Sequence, residues 1–168
     1  MSEWLDIVDT NDAVIGRAPR EVVHSENHLH RSSHIAVFNT RGQVFVQLRS
    51  RLKDSNPRLW DTSAAGHVDS GENYLDCAVR ELVEELGIIV PPESLNRVGK
   101  LLPEQRNGFE FTELFTVCSN QQVVLQEEEI EDGIWVQPEE LDRWIAREAD
   151  AFTDIFRTIW PMVKQTIQ

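Results

Sequence analysis

GHVDSGENYLDCAVRELVEELGI, residues 66–88, is the stretch on which the fold turns. From Asn73 to Leu86 the apolar residues Leu75, Ala78, Val79, Leu82 and Leu86 recur at i, i+3, i+4 and i+7, which predicts a helix with one buried face. Glu81, Glu84 and Glu85 gather on a different face. Like charges at helical spacing cost about 0.2–0.5 kcal/mol per pair, and no lysine is interleaved to offset them. A glutamate run of this kind is commonly a solvated surface. Its flanks argue for more. Gly66 and Gly71 bracket a loop that lets backbone approach a ligand, and Gly87 stands where a helix is capped in the left-handed conformation.

The rest of the chain sets the bounds. Its 168 residues, 40% hydrophobic and 27% charged, fit one domain spanning 1–168 with a sizeable core. The start, MSEWLDIVDTND, has neither a basic leader nor a long apolar run, so the expectation is a soluble, cytoplasmic protein with no membrane partner. Cys77 and Cys118 both lie in apolar patterns, which suits a reducing compartment. An excess of 29 acidic over 16 basic residues repels a nucleic-acid polymer. It does not exclude a small phosphorylated substrate, because a bound divalent cation and a few local bases reverse the field inside one pocket.

Upstream, WLDIVD and AVIGRA flank Asn11-Asp12 as a first hairpin. IAVFNTRGQVFVQLRS flanks Arg41-Gly42 as a second, made of two central strands. Downstream, GFEFTELFTVCS and GIWVQ read as strands, PEELDRWIARE as a helix opened by proline, and Thr153 to Ile167 as a further helix. The mixture predicts an α+β sheet covered by helices. Arg49, Arg51, Lys53 and Arg58 form a basic cluster in a chain short of positive charge, suited to phosphate oxygens or to balancing nearby acids. QEEEIEDG offers Glu127, Glu128 and Glu129 in what reads as a charged turn.

Gly66, Glu72, Arg80, Glu81, Leu82, Glu84, Glu85, Gly87 and Ile88 fill all nine constrained positions of a 23-residue register that resembles the signature of the Nudix hydrolases. The resemblance implies an α/β/α sandwich with a mixed central sheet, and a divalent-metal-dependent hydrolase cleaving a diphosphate linkage in a nucleoside diphosphate derivative or nucleotide. It implies Mg²⁺ or Mn²⁺ held by Glu81 and Glu85. Glu84 would be a third ligand or orient water, and the Gly66 carbonyl would be a further ligand. By the same resemblance these three glutamates are the catalytic candidates, and Glu72 with Arg80 is a structural ion pair. The general base would be a box glutamate or an acid on a later loop. Either a monomer or a homodimer is compatible with the sequence.

The N-terminal two-thirds also resembles the isopentenyl-diphosphate isomerases through VDTNDAVIG, LHRSSHIAVFNTRGQVFVQLRS and WDTSAAGHV. That likeness places His24, His30, His67 and Glu113 at the positions of a second metal site, and Arg49 and Lys53 at those of diphosphate-binding bases. Ala65 stands where the isomerases carry a catalytic cysteine, and Phe111 where they carry a second glutamate. An alanine methyl moves no proton, so the isomerase reaction loses a partner. His28 and His34 take no role from the likeness and read as polar surface or strand-start residues. Isomerisation of isopentenyl diphosphate is the alternative reading. A non-catalytic nucleotide sensor on the same scaffold is a third.

Overall fold

Asn73 accepts a hydrogen bond from the Asp76 N–H, and Gly87, at φ 65°, closes the turn; between them α2 runs from Tyr74 to Leu86. The helix follows a β1 (Trp4–Val8)–β2 (Val14–Pro19) hairpin and the short α1 (Arg20–Ser25). The computed structural model describes residues 2–167. Ala78, Leu82 and Leu86 are fully buried, as the spacing requires. Each such Leu contributes roughly 1.5–3 kcal/mol of transfer energy, offset in part by lost rotamer freedom.

The sheet they pack on is buried on both faces. Along β3 (His30–Phe38), Ile35 and Val37 meet α2, while Ala36 and Phe38 point the other way. Along β4 (Val44–Arg49), Phe45 faces α2 and Val44 and Val46 face away. This period of two sends the second set into a core with Leu141 of α3 (Pro138–Arg147) and Phe156, Ile159, Trp160 and Val163 of α4 (Asp154–Lys164). Helices on both faces of a mixed sheet make an α/β/α sandwich, in agreement with the expected class. β5 (Trp60–Asp61), β6 (Ala64–His67), β7 (Asn96–Leu101), β8 (Glu110–Cys118) and β9 (Ile130–Val136) complete the sheet, and β8 runs parallel to β3.

The second hairpin is present but opens at once. β3 and β4 share a single pair, Phe38 with Val44, and then diverge. β6 fills the gap along β3 and β5 along β4. The Ser63 hydroxyl sits at the vertex, accepting from Val37 N–H and donating to the Phe45 carbonyl, so the missing rungs are replaced by a side chain. This wedge decides where the site lies. Asp12 ties the first hairpin down, taking the Tyr74 hydroxyl at 2.7 Å together with Arg31 and Lys100. Among the described residues no helix is long and apolar enough to cross a membrane.

Candidate active site

The three box glutamates are not equivalent. Glu85 is almost wholly buried, its Oε1 taking the Ala65 N–H at 2.8 Å and its Oε2 the Gln47 side chain at 3.2 Å. Glu81 is also buried and lies 2.7 Å from Arg80 Nη1, whereas Glu84 is more exposed and lies 3.2 Å from the same nitrogen. Arg80 grips Glu72 with two bonds of 2.9 Å and reaches the His67 carbonyl at 2.9 Å. Glu72 in turn accepts from the Asp69 N–H. Arg80 therefore ties loop to helix and also braces two of the glutamates.

Burial, followed by the neighbouring charge of Glu81, pushes Glu85 up to about 8. Burial raises Glu81 to about 7 against the pull of Arg80, with Glu84 and Glu129 adding to the rise. Two buried carboxylates this reluctant to ionise together fit a place for a hard cation with oxygen ligands. Gly66 belongs to the same fit, because a Cβ there would stand 1.9 Å from Glu81 Oε1. Only glycine leaves that carboxylate its place. Cys77 packs beneath, with Sγ 3.6 Å from the Gly66 carbonyl, and burial pushes its thiol well up, so it offers no substitute for a catalytic cysteine. Cys118, by contrast, is exposed rather than in the core.

A cavity of about 1480 Å³ opens over these carboxylates. Arg49 and Lys53 both reach its wall, but both are engaged. Arg49 bonds the Ser55 and Asn56 carbonyls and lies 3.5 Å from Asp61, and Lys53 pairs with Glu129. Arg58 pairs with Glu131 away from the cavity. Glu128 and Glu129 enter the lining and Glu127 does not, so part of the acidic turn reaches the site. Arg20 and Arg157 also line it.

His24, His30 and His67 meet as a triangle with ring centroids 5.0–5.3 Å apart. The fourth member is Glu110, not Glu113. Each of these four residues offers a ligand atom within 4.8 Å of the others. Glu113 lies three residues further along β8, on the opposite face, and pairs with Arg97 at 3.1 Å. Strand register supplies the reason: His30 pairs with Glu110 and Ser32 with both Thr112 and His67, so His30, His67 and Glu110 share one face. Burial opposes charge on Glu110, but the hydrogen bond from His67 and the proximity of the His30 and His67 rings override it and hold the carboxyl well below its usual range. Burial likewise opposes charge on His67, which Glu110 and Glu3 nonetheless lift to about 9. Burial and the charges of the other two rings push His24 down to about 4. His30 Nε2 lies 3.4 Å from Glu110 without hydrogen-bond geometry and has no hydrogen-bond partner among the described residues.

The NUDIX domain model matches residues 28–155. This chain belongs to the Nudix family. A Nudix hydrolase of Yersinia pestis is 38% identical over 151 residues, covering 90% of this chain and 80% of its own. The Nudix hydrolase YfcD of Escherichia coli K12 is 36% identical over 152 residues, covering 90% and 81%. Among solved structures, DR0079 from Deinococcus radiodurans superposes with a TM-score of 0.73 at 28% identity, covering 86% of this chain and 90% of its own. The protein is thus a Nudix hydrolase.

Within the Nudix scaffold, sequence reasoning missed Glu110, Arg20, Arg157, Gln47 and His34. The alternation of Glu110, Thr112 and Leu114 was a usable signal for the first. Arg20 and Arg157 carry no local pattern, since they meet the cavity from opposite ends of the chain. Segments 25–33, 102–111 and 146–154 contribute Asn27, Phe109 and Phe152 to the lining.

Proposed function

We propose that this Nudix hydrolase is a divalent-metal-dependent enzyme that cleaves the diphosphate linkage of a nucleoside diphosphate derivative or nucleotide. The carrying observation is the joint burial of Glu81 and Glu85 beside Gly66, beneath a cavity that admits a substrate of that size. Glu81, Glu85 and Glu84 would hold Mg²⁺ or Mn²⁺, with the Gly66 carbonyl as a further ligand. When bound, such a cation neutralises diphosphate oxygens and activates water. Arg80 keeps Glu81 and Glu84 oriented, and Gln47 and the Ala65 N–H fix Glu85. Glu129, held at the cavity wall by Lys53, is the loop carboxylate suited to take a proton from the attacking water.

Ala65 in the cysteine's place supports hydrolysis over isomerisation even if the scaffold is of the isomerase-like branch. The intact box supports catalysis over sensing. The histidine cluster, with its unpartnered His30 Nε2, supports a second site for a cation that accepts nitrogen, such as Mn²⁺. A cytoplasmic monomer or homodimer acting on a small phosphorylated substrate completes the reading. Fold neighbours include a Shewanella oneidensis NrtR Nudix domain solved with ADP ribose and a Caenorhabditis elegans Ap4A hydrolase, which suggests the contents of a screen. Nucleotide sugars, dinucleotides and nucleoside di- and triphosphates are incubated with Mg²⁺ or Mn²⁺. The expected result is turnover that Glu85→Gln lowers about a thousandfold. Equal turnover by the variant, or none by the wild type, overturns the reading.

A further inference from the structure

His34 lies in the floor of the cavity and is 6% exposed. Its Nδ1 is 2.9 Å from Thr62 Oγ1, and that hydroxyl lies 3.2 Å from Asp61 Oδ1. The proton positions follow from chemistry. An ionised carboxylate only accepts, and Asp61 also takes the Thr62 N–H at 2.7 Å and lies 3.5 Å from Arg49, so its charge is compensated where it stands. The Thr62 hydroxyl proton therefore points to Asp61. Its oxygen is left to accept, so His34 donates through Nδ1–H and keeps a lone pair on Nε2. Burial, the largest influence on the ring, favours the neutral form. Nε2 makes no hydrogen bond within the described residues and is not sealed from the cavity.

The strand geometry places this ring on the sheet face turned away from α2, and the cavity joins the two faces at the open wedge. His34 pairs with Ala65, so their side chains rise from that same face, while the Ala65 N–H, in the plane of the sheet, holds Glu85. Arg49, linked through Asp61 and Thr62, reaches the wall of the same cavity.

We propose that His34 is a specificity-determining residue whose Nε2 accepts a hydrogen bond from a hydroxyl or amine on the group attached to the diphosphate. The inference rests on the diphosphate-hydrolase reading and narrows it. A sugar or nucleoside diphosphate satisfies the acceptor. A hydrocarbon diphosphate leaves it dry and unpartnered, and sites built for a substrate donor reject ligands that lack one. Thr62 and Asp61 act as positioning residues that fix the tautomer.

Histidine side-chain ¹⁵N NMR on the full chain at pH 7 tests the first half without any ligand. The expected signal for His34 is a neutral ring protonated on Nδ1, and Thr62→Val should release that preference. An Nε2–H tautomer or an imidazolium in the wild type overturns the proposal. Titrating ADP, ADP-ribose and isopentenyl diphosphate in metal-free buffer tests the second half. The two nucleotides should shift the His34 Nε2 resonance and isopentenyl diphosphate should not; no shift with either nucleotide, or an equal shift with the hydrocarbon ligand, overturns the proposal. In steady-state assays His34→Phe should raise KM for ADP-ribose about tenfold to a hundredfold, with kcat changed less than about threefold. A folded variant with unchanged KM counts against the proposal. Absence of wild-type turnover sinks the hydrolase reading instead, and the resonance titration still decides the role of His34.

Discussion

Two clusters of ionisable side chains share one cavity and solve the burial of charge in opposite ways. Around Glu81 and Glu85 like charges crowd together, Arg80 offsets only part of the repulsion, and both carboxyls rise toward neutrality. Around His24, His30, His67 and Glu110 the charges are mixed, and Glu110 and His67 hold each other ionised. The first arrangement calls for a cation from outside. The second carries its own. A histidine–carboxylate cluster is consequently weaker testimony for a metal than a pair of buried glutamates, although it has more of the ligand types usually sought.

The sharpest way to break the contrast is Gly66→Ala. A methyl in the place of Glu81 Oε1 must displace that carboxylate, and a displacement of about an ångström costs roughly a hundredfold in rate. The histidine cluster, on the opposite face of β6, should be undisturbed. Steady-state kinetics beside histidine NMR checks this: a fall in kcat with unchanged His24, His30 and His67 resonances is expected, and undiminished kcat would break it. Next in size, Glu110→Gln should weaken binding of a second Mn²⁺ equivalent about tenfold or more, measured by calorimetry. Glu113→Gln should leave it unchanged and cost under about 1 kcal/mol, because its pairing with Arg97 is a surface one. The reverse order would restore Glu113 to the cluster.

The smallest effect concerns pH. Glu81 and Glu85, near 7 and 8 in the fold against 4.5 ordinarily, keep protons that the unfolded chain releases. Stability of the metal-free protein contributed by that retention declines as pH rises from 4.5 through 8. His67 adds a contribution present below 6.5 and lost through 9, while Glu110 contributes above 4.5 and loses it on acidification. Thermal melts should show Tm falling between pH 5 and 8 at roughly 2–4 °C per kcal/mol. Excess Mg²⁺ should remove most of the fall. Mg²⁺ that left the slope untouched would detach the cation from Glu81 and Glu85.

What was legible in the sequence was local. The helix from Tyr74 to Leu86, its cap at Gly87, the Glu72–Arg80 clasp and the first hairpin all depend on residues within a few turns of one another. The isomerase likeness points to Glu113 instead of Glu110 because the face a strand residue occupies depends on its register with β3, and no stretch of β8 states that register. The opening of the second hairpin was equally hidden. Val44 to Arg49 reads as a partner for β3, yet it spends nearly its whole length on β9 and β5. His34 reads as a polar surface or strand-start residue because Thr62, which gives its ring a direction, lies 28 residues away.

The parallel pairing of β3 with β8 joins His30 to Glu110 across 80 residues, whereas Glu81 and Glu85 find Gly66, Ala65 and Gln47 among residues that precede them. Loop closure on the longer scale is the slower event in folding. During synthesis the chain completes one cluster by residue 87, and the other waits until Glu110 has emerged. The histidine cluster thus marks the moment the sheet closes: a nascent chain halted short of β8 possesses every box carboxylate and has no fourth corner for its three histidines.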